Sequence, residues 1–466
     1  MLSIGSVLDH EFNKHHKANI GVNINTTKGM HYKKMDDLLG ADTYIDVDKF
    51  SVGDHGTDSY IIQNDLDNPN RRIREGDKFG YDYDIYVNKV NLFTQYQYDN
   101  NNIHLYAGAN IDGTTMQRDG HMRNGRATWF DENGTMHDIS KGKSKVAKFL
   151  GGGAKASFVW DINGNNKFTI GGGYSQLAPL AYNSFIAPRI REDFVEGLET
   201  EGVLNGEVSY AVKYGPVAGK VSAFYTKTSN AVQQSAFYND SEGKFTYLTM
   251  TGVDKAHYGI EAALVYKVTS ALSFNMLASV TEAEYTSNTL GSLMTEDQQQ
   301  LANDKTTIYM DGAKIGGSPL TALSVGVDYN VKGWYLSASL NYYDRIFVSP
   351  SLYARMENIA KIDGGYDANG NPTSTINIPS QFKGDGGFML DASIGKSIRL
   401  NGGKQLNINL SLNNILNNEN MVTGGYEQNR GDLNEDNEKR TYVFSKNPFL
   451  YYASAFNAYL NIGLRF

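Results

Sequence analysis

The sequence predicts an all-β protein, a transmembrane antiparallel β-barrel with long extracellular loops and short periplasmic turns, of which about fifteen strands are present. Three observations carry that reading. Apolar and polar residues alternate along fifteen segments, the period of two that sends successive side chains to opposite faces of a strand. The segments come in pairs, with tight turns alternating against loops of about 25 to 55 residues, the layout of outer-membrane barrels. The composition agrees: 31 Tyr, 21 Phe and 48 Gly stand beside only 9 Pro in 466 residues. With no Cys, disulfide-stapled folds and Cys-ligated metal centres are excluded. No stretch approaches the ~20 apolar residues of a membrane helix. With 43 Lys+Arg against 51 Asp+Glu, a net charge of -8, nucleic acid is not an expected partner.

The predicted strands lie at 2–12, 17–27, 84–98, 101–112, 147–160, 166–176, 204–214, 217–228, 256–267, 271–283, 318–329, 332–343, 386–399, 404–414 and 455–466. The first begins at once, and no basic start, apolar stretch and small-residue cleavage site precede it. Further along, Val208, Tyr210, Val212 and Tyr214 turn at Gly215-Pro216 into Val217, Val221, Ala223 and Tyr225. Ile260, Ala262, Leu264 and Tyr266 turn near Thr269-Ser270 into Leu272, Phe274, Met276, Ala278 and Val280. Leu323, Val325, Val327 and Tyr329 turn through Asn330 to Gly333 into Trp334, Leu336, Ala338, Leu340 and Tyr342. Phe388, Leu390, Ala392, Ile394 and Ile398 are followed, across Asn401-Gly402-Gly403, by Leu406, Ile408, Leu410 and Leu412. The intervening residues of that last strand are Asn407, Asn409, Ser411 and Asn413.

A soluble sandwich also alternates, but it rarely tolerates so many long loops. The polar faces here carry Asn, Ser and Gly rather than a second apolar set, as a wet or plugged lumen requires. Tyr266, Tyr329, Trp334, Tyr342 and Tyr343 at strand ends suit interfacial aromatic girdles. In the last strand, Ala458, Leu460, Ile462, Leu464 and Phe466 alternate with Tyr459, Asn461, Gly463 and Arg465. If the C-terminus faces the periplasm, strand 2–12 descends, whereas a barrel entered from the periplasm begins with an ascending strand. Fifteen is also odd, and bacterial single-chain barrels are even. The expectation is that residues 1–466 are strands 8 to 22 of a 22-stranded barrel, one domain without the first strands.

Several motifs resemble those of the TonB-dependent receptors. Leu412-Asn413-Asn414-Ile415-Leu416-Asn417 is similar to the family's penultimate-strand motif, and Gly424 to Arg430 and Ala458 to Phe466 to its barrel ends. Gly252 with Tyr258-Gly259-Ile260-Glu261, and Pro319 ahead of Gly333-Trp334, resemble its mid-barrel strand starts. The resemblance implies outer-membrane uptake of a large scarce nutrient (siderophore, cobalamin or glycan), driven through the TonB–ExbB–ExbD complex. It also implies that Leu460, Ile462, Leu464 and Phe466 are read by the barrel assembly machinery. The family's N-terminal plug and TonB box have no counterpart in this sequence, so coupling would run through a plug not seen here. A surface lipoprotein partner and the surrounding outer-membrane lipid complete the implied partners.

Candidate ligand contacts are the aromatic and Arg residues of the long loops: Trp129 with Phe130, Arg189 with Arg191, Tyr353 with Arg355, and Tyr426. Aromatic faces there suit sugar or chelate ligands. Asp161 to Asn165 and Asp367 to Asn371 resemble the start of a calcium loop, but neither reaches a Glu at the twelfth position. No metal and no cofactor are therefore expected. Gly151 to Gly153 and Gly171 to Gly173 read as strand positions that permit close approach. No Ser/His/Asp or paired-carboxylate spacing stands out, so no enzyme is expected. The alternatives are a passive porin and a surface barrel serving as adhesin.

Overall fold

The computed structural model describes residues 1–239, 244–295, 305–366, 372–429, 432–433, 442–443 and 448–466. Fifteen strands form the wall. They are β1 (Leu2–Asn13), β2 (His16–Lys34), β3 (Lys78–Asp99), β4 (Ile103–Gly120), β5 (Ala147–Asn163), β6 (Asn166–Leu177), β7 (Glu201–Tyr214) and β8 (Val217–Asn239). Then come β9 (Lys244–Lys267), β10 (Leu272–Tyr285), β11 (Pro319–Val331), β12 (Trp334–Phe347), β13 (Gly387–Arg399), β14 (Gln405–Asn413) and β15 (Asn457–Arg465). Each pairs antiparallel with its sequence neighbour, and four short extensions bring the sheet to 19 strands. Among the described residues β1 pairs only with β2 and β15 only with β14, so the sheet keeps two edges.

The register turns alternation into two chemically distinct faces. Leu272, Tyr329, Leu336, Ile394, Leu410 and Leu460 stand opposite one another across six strands. One residue along, the matching row is Ser273, Asp328, Ser337, Ser393, Ser411 and Tyr459. Polar side chains on that second face bond across strands. Asn275 donates to Asp328 at 2.8 Å, Asn341 to Asp391 at 3.0 Å and Ser393 to Asn409 at 2.9 Å. In the first half Asn91 donates to Asp112 at 2.7 Å, and Asn23, Gln95, Asn110 and Lys155 help line a hollow of about 380 Å³. The opposite face leaves Leu460, Ile462 and Leu464 about half exposed or more. So broad an uncovered apolar band is what lipid contact requires. Tyr214, Tyr266, Tyr329 and Trp334, exposed at the tight-turn end, form the girdle.

Several strands run well past the roughly 9–11 residues that cross a bilayer. β2, β8 and β9 have 19, 23 and 24 residues, so their outer halves stand clear of the membrane. Residues 229–239 and 244–255, expected within a loop, are instead the outer parts of β8 and β9, with register breaks around Thr228 and Ala231. Their alternation was hidden because the apolar positions there face other loops rather than lipid. Leu248 and Met250 are fully buried with Ile308, Met310, Tyr353 and Met356 in a core built above the wall. The loops also contain structure of their own. A helix at Lys49–His55 starts at Asp48, whose carboxylate accepts from the Phe50 and Ser51 amides at 2.9 and 3.0 Å. The glycine triplets mark close approach: a Cβ on Gly153 would lie 2.7 Å from the Tyr174 carbonyl. Asp161 to Asn165 forms the β5–β6 turn, whereas Asp367 to Asn371 lies outside the described residues.

Candidate functional site

The long-loop end of the wall holds a cavity of about 710 Å³. It is lined from five separate parts of the chain, one of them Thr295 between β10 and β11. The segment between β2 and β3 supplies Tyr44, Asp48, Lys49 and Phe50, and the flanking strand ends supply Lys33, Phe79 and Tyr81. Arg126 comes from the β4–β5 loop, Arg189 from the β6–β7 loop, and Tyr238 and Phe245 from the β8–β9 hairpin. Residues of β2 and of β9 meet at one cavity although six strands separate them, so the sheet curves around its polar face.

Buried polar bonds fix these loops. Asp46, 2 % exposed, accepts from Asn64 at 2.9 Å, Arg71 at 2.7 Å and the Gly80 amide at 2.9 Å, which ties the first loop to the base of β3. Asp48 pairs with Arg126 at 2.6 Å and links that loop to the next. Gly125 packs against the Tyr60 carbonyl so closely that a Cβ would lie 2.1 Å from it, a contact only glycine allows. Arg118 is fully buried and binds the third loop, donating to the carbonyls of Pro188 and Ser140, each at 2.7 Å. Burial pulls its guanidinium down to about 10, which leaves it charged at neutral pH. Burial also raises the Glu192 carboxyl, against the nearby Arg118 charge, and raises the Tyr44 phenol, with Asp46 and Asp48 adding to the effect.

Three of the cavity's cations sit on rings. Lys49 Nζ lies 4.9 Å from the Tyr44 centroid, Lys33 Nζ 5.6 Å from that of Phe79 and 6.0 Å from that of Tyr81, and Arg189 5.3 Å from that of Tyr81. These are cation–π distances.

Of the residues expected to contact ligand, only Arg189 lines this cavity. Trp129 and Phe130 sit on a neighbouring hairpin, Trp129 stacked on His137 at 5.4 Å and Phe130 edge-on to Tyr60 at 5.5 Å. Arg191 is buried and paired with Asp193. Tyr353 and Arg355, 7 % and 5 % exposed, lie inside the loop packing, with Arg355 donating to the Pro379 carbonyl at 2.9 Å. These three side chains hold loops together and present no surface to a solute. Tyr426 is partly exposed and stacked on Phe449, away from the cavity. Sequence reasoning passed over Lys33, Tyr44, Lys49, Phe79 and Tyr81. The available signal was the Lys-Phe pairs Lys49-Phe50 and Lys78-Phe79 at the ends of the first long loop.

A tether between the first two loops is expected to release in acid. Asp67 accepts from Lys141 at 2.5 Å and Arg123 at 2.6 Å, and the Lys141 contact chiefly holds its carboxyl below the ordinary value. A depressed carboxyl contributes stability above its unfolded value, near 3.9, and loses it as pH falls through the lower folded value. Hydrogen-exchange protection factors at residues 64–68 should therefore be flat from neutrality to about pH 4.5 and fall below about pH 3.9. Asp67→Asn should remove that acid step.

The chain matches the profile of a family described as "TonB dependent receptor-like, beta-barrel" over residues 2–415. No curated protein matches it. Among solved structures it is similar to the ferric-catecholate import receptor Fiu of E. coli, at 15% identity and TM-score 0.52, covering 99% of this chain and 54% of that one. The copper transporter OprC gives 10% identity and TM-score 0.58, with 99% and 56% covered. The ferric citrate transporter FecA gives 10% and 0.55, with 99% and 53% covered. The chain thus spans about half the length of these structures.

Proposed function

Because the chain belongs to the TonB-dependent receptor β-barrel family, a family of outer-membrane transporters rather than enzymes, we propose that it is the barrel portion of an importer for a large scarce nutrient. The observation that carries the proposal is the cavity of about 710 Å³ at the long-loop end of a wall with one apolar and one polar face. A volume of that size suits a solute of drug size or the exposed part of a larger one. The apolar band sits in lipid, the braced loops capture the solute from outside, and the polar face lines its route. The barrel assembly machinery reads Leu460, Ile462, Leu464 and Phe466, which form an exposed apolar row on the last strand and terminus.

Residues 1–466 supply fifteen of 22 wall strands in this proposal. The two edges left unpaired among the described residues support a wall closed by further strands, since unpaired backbone groups in hydrocarbon cost several kcal/mol each. Energy enters from TonB, ExbB and ExbD through a plug, with the solute class left to the loops. A surface lipoprotein is a further candidate partner.

The test is uptake by cells making the whole protein, with and without TonB. Screening candidate nutrients against a strain lacking this protein identifies the solute. Uptake of that solute should then vanish in the TonB-deficient strain. Equal uptake in both strains would replace the importer with a passive porin.

A further inference from the structure

We propose that the loop cavity selects an anionic solute carrying a flat ring, rather than a neutral glycan or a cation. This rests on the importer reading and names the solute class of the same site.

The charge balance comes first. Among the described residues, Lys33, Lys49, Arg126 and Arg189 face the cavity against two carboxylates, Asp48 and Asp54. Asp48 is already engaged by Arg126 at 2.6 Å. Among the described residues, Lys33, Lys49 and Arg189 have no carboxylate within ion-pair distance, and all three are exposed. The cavity is therefore a cationic spot on a chain of net charge -8. Loops that were cationic only by chance would place their lysines beside the abundant acids. These place them on rings.

The second observation is how the rings are used. A neutral sugar stacks on an open aromatic face. Here the faces of Tyr44, Phe79 and Tyr81 carry ammonium and guanidinium groups at 4.9 to 6.0 Å. At these distances the ring quadrupole attracts the cations and holds them toward the cavity. An anion entering between them gains charge-assisted hydrogen bonds. Its ring finds further apolar surface on Phe50, Tyr238 and Phe245. A cation would meet like charge from three sides.

The Arg126–Asp48 pair stays intact in this scheme. It joins the first two loops and holds Lys49, the next residue, in place.

The experiment uses the whole protein extracted from outer membranes in mild detergent. The probe is pyranine, a fluorescent flat ring bearing sulfonates, followed by fluorescence anisotropy. Pyrenemethanol supplies the ring without charge, and maltoheptaose supplies a neutral glycan. Pyranine should bind, its affinity should fall as salt rises, and the two neutral probes should not displace it. The triple variant Lys33→Gln, Lys49→Gln, Arg189→Gln should weaken pyranine binding about tenfold or more. Arg189→Lys should retain most of it. Because all three positions are exposed, unchanged heat-modifiable migration will certify folding, and the single variants Lys33→Gln and Lys49→Gln repeat the test should the triple one misfold. Absence of pyranine binding to the native protein, equal binding by the variants, or displacement by maltoheptaose would overturn the assignment. Binding is read without energy, so a porin result in the uptake test would leave this measurement unaffected.

Discussion

Arg118→Ala should free the loop between β6 and β7 and cost about 3–7 kcal/mol. The buried Ser140 carbonyl and the half-buried Pro188 carbonyl lose a charged donor at 2.7 Å, and each orphaned acceptor is worth about 1–3 kcal/mol. The guanidinium also stands 5.0 Å from the centroid of the Tyr83 ring, a contact worth about 1 kcal/mol more. Water cannot replace these partners readily, because the side chain is fully buried. The local sequence is built for this contact. Gly120 lacks a Cβ that would lie 1.9 Å from the Ser140 carbonyl, so that carbonyl can approach β4. Pro188 directly precedes Arg189, the cavity cation over Tyr81, so loss of the anchor should also let Arg189 drift. Faster hydrogen exchange and protease cleavage at residues 178–200 and around Ser140, with weaker pyranine binding, is the expected result. Arg118→Lys should fall between, since one ammonium cannot span both carbonyls with fixed geometry. Unchanged protection of this loop in Arg118→Ala would show that the anchor lies elsewhere.

The wall was legible in the sequence because lipid and lumen impose opposite chemistry on adjacent residues. Leu406, Ile408, Leu410 and Leu412 alternate with Asn407, Asn409, Ser411 and Asn413, and the structure places the two sets on opposite faces of β14. The same signal weakens above the membrane. Most buried partners of Leu248 and Met250 come from residues 285–356, distant in the chain, and no local period reveals them. The β8–β9 hairpin therefore read as a loop.

The candidate site was less legible for a related reason. Arg and aromatic residues in loops do two jobs, and sequence alone does not separate them. Arg355 and Tyr353 belong to the packed core, and Arg191 folds back on Asp193 two residues away. Arg189, in the same short stretch, projects into the cavity instead. What separates Arg189 from Arg191 is the backbone turn set by Arg118 at Pro188, a contact between residues 70 positions apart. Lys33 and Lys49 escaped notice because a lysine near an exposed loop ordinarily means solubility. Their placement over Phe79 and Tyr44 depends on Asp46 drawing the loop onto the base of β3.

Leu410→Arg in the complete barrel should cost roughly 2–4 kcal/mol, and Asn409→Arg about 1 kcal/mol. The two positions are adjacent on β14, with the same backbone pairing, so strand propensity and register cancel in the comparison. Leu410 stands between Ile394 and Leu460 in the apolar row, where a guanidinium would have to enter hydrocarbon or snorkel along the strand. Asn409 stands between Gly395 and Asn461 on the polar face. An arginine there loses the bonds with Ser393 at 2.9 Å and Ser411 at 3.1 Å but keeps its hydration on the polar face. Urea titrations of refolding into lipid bilayers would read the difference. A one-residue slip of register inverts every side chain of the strand. Equal costs, or a larger cost at Asn409, would therefore mean that β14 presents its asparagines to lipid, and both faces of the wall would have to be exchanged.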